Sequence, residues 1–301
     1  MKLIKMFPLI VLFPTSFALA KLQVVTTTTD MRALVEVVGG DKVEVMSIAK
    51  GTQDPHQIEA KPSFMVHMRN ADLVVSQGLE LETAWLLPLI QGARNPKIQQ
   101  GTKGFLEIGE GIDPIEVPKG DVTRAEGDVH PGGNPHFQLD PIRMGKAATI
   151  VANQLAELDP SNGEFYKNKA RDYDKHMQEK TAEWKKRLEK TGIKEIVTYH
   201  KTLSYFLNRF DIKNAVQLEP KPGIPPTASH LLDVISQMKK RNIHLVLIEN
   251  YFADDVSDKL KQGVPGVVVE RIPVSVDGDK DVPTTEALIE NLVKNFEAAV
   301  K

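Results

Sequence analysis

The run "DPSNGEFYKNKARDYDKHMQEKTAEWKKRLEKTG", starting at Asp159, constrains this chain more than any other segment, because it holds no glycine or proline from Glu164 to Thr191. Phe165, Tyr173, Met177, Trp184 and Leu188 recur in it at intervals of four, seven and eight, amid dense charge. That spacing predicts one amphipathic helix, capped by Asp159 or Ser161 and closed by Gly192. About 28 residues at 1.5 Å each would span about 42 Å, enough to run the length of two domains.

On both sides of the rod, short apolar runs alternate with helical-period stretches. Before it, "LQVVTTTT", "KVEVMSIA" and "DLVVSQG" read as strands, with "DMRALVEVVGG" and "KPSFMVHMRNA" as the helices between them. A helix over Ile142 to Leu158 then precedes the rod. After it, "EIVTYH", "NAVQLEP", "LVLIENYF" and "VVVERIPVSV" read as strands, separated by helices around Leu203–Phe210, Ala228–Arg241 and Ala253–Gln262. "TTEALIENLVKNFEAAVK" closes the chain as a helix capped by Thr284 or Thr285. A repeated βαβα series implies parallel sheets. The expected fold class is α/β, with two (β/α)4 lobes joined by one long rigid backbone helix.

Residues 1–20 carry Lys2 and Lys5, an apolar stretch and a small-residue ending at Ala18-Leu19-Ala20, the pattern of a secretory signal. The expected division is therefore a signal over 1–20, a first lobe over 21–158, the linking helix over 159–192 and a second lobe over 193–301. A formal charge of −2, from 38 basic and 40 acidic residues, gives no basis for nucleic-acid or anionic-membrane binding. With no cysteine, the chain can form no disulfide and offers no lipid-modified Cys. A soluble periplasmic protein is expected, without stable membrane insertion.

Eight histidines remain to be sorted. His67, His176, His230 and His244 fall inside helical or strand patterns and are read as carrying no ligand role. His56 follows the second strand, in "TQDPHQIEAKPS"; His136 stands in "GGNPHFQLDP"; His200 ends "EIVTYH". In open parallel sheets, ligands bind beyond the carboxyl ends of strands, so these three can converge on the cleft between lobes. Neutral imidazole is a common ligand of zinc and other late first-row metals, and the prolines before His56 and His136 hold extended backbone that would preset them. His130 is read as a loop residue, with a weak outer site shared with Asp128 as the alternative.

"DPHQIEAKPS", "NADLVVSQGLELETAWL", "NPHFQLDP", "VTYHKTLSYF" and "EPKPGIPPTASHL", in that order around the charged helix, resemble the metal-binding solute-binding proteins of zinc and manganese ABC importers. The resemblance covers nearly the whole chain after the signal. It implies a metal between two lobes, held by His56, His136 and His200, and delivery to an ABC permease by a monomeric carrier that is not an enzyme. Manganese members commonly carry a carboxylate at the His200 position, so an imidazole there tilts the expectation toward Zn2+, with Mn2+ as the alternative. The family usually supplies an acid after the last strand, where this chain has Ser275. Glu249 is the first candidate for the fourth ligand, or else orients His200; Asp277, Asp279 and water follow. A periplasmic zinc chaperone and a secreted zinc hydrolase are the competing functions, the second weakened by the lack of H-E-x-x-H.

Overall fold

The computed structural model describes residues 21–120, 122 and 127–301; the expected signal, residues 1–20, lies outside the described residues. The first half builds β1 (Leu22–Thr26), α1 (Thr29–Gly39), β2 (Val43–Ser47), α2 (Pro62–Asn70), β3 (Leu73–Ser76), α3 (Leu86–Ala93), β4 (Phe105–Glu107) and α4 (Pro141–Leu158). Then comes the long helix α5 (Gly163–Thr191). The second half builds β5 (Glu195–Thr198), α6 (Ser204–Arg209), β6 (Lys213–Gln217), α7 (Ala228–Arg241), β7 (Leu245–Glu249), α8 (Ser257–Gly263), β8 (Val268–Ile272) and α9 (Thr285–Ala298).

The two four-stranded sheets share one topology, β2-β1-β3-β4 and β6-β5-β7-β8, with every pair parallel. Strand order therefore reverses between β1 and β3 in one sheet and between β5 and β7 in the other, where a crevice opens beyond the strand ends. β3 and β7 are buried along their whole length, as their unbroken apolar runs require of strands covered on both faces.

Local chemistry sets the helix ends. Thr28 caps α1 through the Met31 amide, Thr284 caps α9 through the Ala287 amide, and Pro62 opens α2. Asp140, fully buried, caps α4 through the Ile142 and Arg143 amides and also accepts two bonds of 2.9 Å from Arg209 of α6. One carboxylate thus starts a helix and ties it to the other half of the chain.

α5 runs 29 residues, about 44 Å, and ends at Gly192 in a left-handed conformation (φ 69°). Its start departs from expectation: neither Asp159 nor Ser161 caps it. Asp159 instead accepts hydrogen bonds from Ser161, Asn162 and Tyr166, around a short 3₁₀ turn. The buried face accordingly begins at Tyr166, not Phe165, and continues through Ala170, Tyr173, Met177, Trp184 and Leu188. α3 and β4 were not legible in the sequence: "LLPLIQGA" is apolar on all sides with a proline inside, and β4 has only three residues.

One core cluster runs from Val24 and Leu73 of the first sheet, through α1, α4, α5 and α9, to Ile196 and Leu245 of the second. Each sheet has its own outer cluster, around Trp85 and Leu89 in the first and Tyr199 and Met238 in the second.

Candidate metal centre

His56 leaves β2 in a turn built by its neighbours. Asp54 accepts both the His56 amide (3.0 Å) and the ring Nδ1 (2.7 Å), and Trp85 Nε1 donates to the Pro55 carbonyl at 2.9 Å. With Nδ1 committed, His56 presents Nε2. Burial would raise the Asp54 carboxyl, but the bond and charge of His56 outweigh it and hold it below its usual range.

His136 enters from the segment before α4. Its amide donates to Asn134 Oδ1, and the Asn134 side chain in turn donates to Glu116 and to the Lys201 carbonyl of the second half. Gln77, at the end of β3, donates to the Pro135 carbonyl at 2.6 Å and to Gln138. The ring is 1% exposed and neither nitrogen has a partner. Burial, and then the neighbouring histidines, drives its pKa well below the ordinary value, so it stays neutral.

His200 stands two residues past β5, and Glu219, just past the neighbouring β6, takes its Nδ1 at 2.6 Å. Burial alone would lower the His200 pKa; the Glu219 bond and charge, with Glu249 and Asp54 behind them, raise it instead. Its free nitrogen is again Nε2. The three rings meet with centroids 5.2–5.7 Å apart, and one nitrogen from each lies within 4.8 Å of the other two. Two rings oriented by carboxylates and one orphaned buried ring, each with a nitrogen within 4.8 Å of the others, form a nitrogen-rich cluster that could hold a cation.

The structure brings none of the expected carboxylates into that set. Glu249 closes β7 fully buried with neither oxygen hydrogen-bonded, and burial pushes its carboxyl up to about 7. The role of orienting His200 belongs to Glu219, which sequence reasoning missed although it stands in the quoted "QLEP". Asp277 does not turn into the cleft: it is half exposed and paired with Arg32 of α1 at 2.5 Å. Asp279 accepts the Asp281 amide within its own loop. Ser275, at the family's acidic position, lies buried beside Asp30.

His67 is exposed, His176 pairs with Glu286, His230 with the Gln217 carbonyl, and His244 with Asn242. His130 is different, because its Nε2 stands 3.3 Å from that of His56 and its ring stacks on it. Asp128, the alternative partner for an outer site, lines the same pocket as His130 and packs its carboxylate against Gly223.

Two parallel α/β sheets fixed to one rod, with three imidazoles between their carboxyl edges, define a two-lobed binding protein that takes a small cation in its cleft. Residues 24–299 match the family described as zinc-uptake complex component A, periplasmic, and the chain belongs to that family, whose members serve ABC importers as metal-binding solute-binding proteins. It is 26% identical over 240 residues to the manganese ABC transporter substrate-binding lipoprotein PsaA of Streptococcus anginosus, covering 78% of this chain and 74% of the relative. To the high-affinity zinc uptake system protein ZnuA of Bacillus subtilis it is 24% identical over 243 residues, covering 80% and 74%. The crystal structure of a ZnuA superposes with a TM-score of 0.79 at 24% identity, over 93% of this chain and 100% of that one, and so shares the fold.

Proposed function

We propose that this protein captures zinc between its two lobes through His56, His136 and His200 and hands it to an ABC permease, acting as a carrier and not as an enzyme. The carrying observation is the donor set: three histidine nitrogens within 4.8 Å, with no carboxylate among them. Nitrogen donors suit zinc, whereas manganese prefers oxygen. Manganese is the second reading, favoured by the similarity to the streptococcal manganese transporter lipoprotein. A hydrolytic role is the weaker alternative, because the buried acids close by are Glu219, bonded to His200 Nδ1, and Glu249, a strand-end residue outside the triad.

The expected setting is the periplasm, reached through the signal read in residues 1–20. No helix among the described residues is long and apolar enough to cross a membrane.

Elemental analysis and chelator competition on the purified protein test this reading. One zinc per chain, held more tightly than manganese and lost in His136→Ala and His200→Ala, is the expected result. A preference for manganese would select the second reading, and turnover of a peptide or ester abolished by chelation would replace transport with hydrolysis.

A further inference from the structure

A tetrahedral zinc site with Zn–N bonds of 2.0–2.1 Å places its donor nitrogens about 3.3–3.4 Å apart. The His130 and His56 Nε2 atoms are 3.3 Å apart, already one edge of such a tetrahedron. We propose that His130 is the fourth ligand, making the centre one of four imidazoles; the proposal rests on the metal-carrier reading above.

Three further observations carry it. His130, His136 and His200 line one small pocket of about 30 Å³, and a cavity of roughly 10–15 Å³ suffices for a water-sized occupant. The backbone around His130 is held from several directions. Asp128 donates to the Pro222 carbonyl of the second half at 2.9 Å, Gly132 to Glu80 at 3.1 Å, and Gly133 to the His130 carbonyl at 3.0 Å. Gly133 sits at φ 104°, which a residue with a Cβ rarely adopts, so the tight turn that aims His130 inward depends on it. Finally, the acids that could have filled the fourth vertex are engaged elsewhere or stand outside the set: Asp277 on Arg32, Asp279 on the Asp281 amide, and Glu249 at its strand end.

Without metal, the 3.3 Å contact is a hydrogen bond. Asp54 holds the proton of His56 on Nδ1, so His56 Nε2 accepts and His130 Nε2–H donates. To bind, His130 shifts its proton to Nδ1 and turns its Nε2 lone pair inward, toward the triad whose ligand nitrogens lie within 4.8 Å of one another. Binding through this nitrogen is therefore a tautomer change and a small ring rotation, not a rebuilding of the loop. Four neutral imidazoles leave the full +2 on the metal, with Asp54 and Glu219 as the nearest balancing charges, and favour zinc over manganese.

The test is histidine ¹⁵N NMR of the full protein titrated with zinc alone, beside chelator-competition affinities of His130→Asn, His130→Ala and His67→Ala. The expected result is metal-bound Nε2 signals from four histidines, including the one missing in His130→Asn. Both His130 variants should bind zinc at least about tenfold more weakly, within the loss expected for groups around a metal. His67→Ala, on the exposed face of α2, should bind as wild type does. Asparagine keeps a donor for His56 without a ligating ring; full affinity in His130→Asn, or zinc signals from only His56, His136 and His200, would overturn the four-imidazole centre and leave the carrier intact. Absence of zinc binding by the wild type would overturn both.

Discussion

Asp54 and Glu219 decide which nitrogen His56 and His200 present, and each does so with an Nδ1 contact of 2.6–2.7 Å. A carboxylate there fixes the tautomer, orients the ring and makes Nε2 more basic. Glu219 also makes His200 the principal point of proton competition, since its pKa is raised while that of His136 is lowered and that of His130 falls to about 3. The metal must displace a proton from His200 once the pH falls through its raised value, so affinity declines from about pH 7.5 to 5. Glu219→Gln should weaken zinc binding roughly 10–100-fold at pH 7.5 and flatten that decline, as read by competition titration at several pH values. An unchanged slope would remove Glu219 from control of His200. At this scale the sequence was partly legible: "DPH", "NPH" and "TYH" exposed the triad, because a histidine at a strand end or after proline is a local feature. Glu219 was not, because it lies 19 residues from His200 and reaches it only through β5–β6 pairing.

α5 is clamped to α9 near its C-terminal end. Arg187 donates to both Glu290 and Glu297 of α9 at 2.7–2.9 Å, and Trp184 Nε1 joins Glu290 at 2.8 Å. These carboxylates raise the Arg187 pKa further and hold their own below the usual range, Arg187 being the first cause for each. Partial exposure screens the cluster, so Arg187→Ala should cost about 1–2 kcal/mol of stability in denaturant unfolding, with zinc affinity unchanged. A loss of affinity would show that the α5–α9 clamp sets the cleft. The helix was readable from sequence because a run free of glycine and proline over the 28 residues from Glu164 to Thr191 is decisive. Its first turn was not, because Asp159 could cap a helix or bind a 3₁₀ turn and Tyr166, and tertiary packing chose the second.

Across the whole molecule, the halves meet along a bonded seam as well as a shared core. Thr29 donates to the Val276 carbonyl at 2.6 Å, Asp30 accepts the Val276 amide at 3.0 Å, and Arg209 grips Asp140. A seam of this kind opposes hinge opening, so the lobes are expected to move little. Burial raises Asp30 to about 7, and one of its oxygens has no partner. A carboxyl raised on folding favours the native state fully below its unfolded pKa of 3.8, and that contribution is lost as pH rises through about 7. Asp30→Asn, which keeps the acceptor for Val276, should therefore match wild type near pH 4 and exceed it by about 1–3 kcal/mol at pH 8, as measured by thermal or denaturant unfolding. Equal stability at both pH values would mean that Asp30 is not held protonated in the seam. The sequence by itself determined the two parallel α/β lobes, the connecting rod and the three histidines, because periodicity, breakers and strand-end position are properties of neighbouring residues. Only the tertiary structure decided what surrounds the three histidines: Glu219 behind His200, Asp277 drawn away by Arg32, and His130 brought against His56, since each pairing joins segments 19 to 245 residues apart and depends on how the sheets and loops pack.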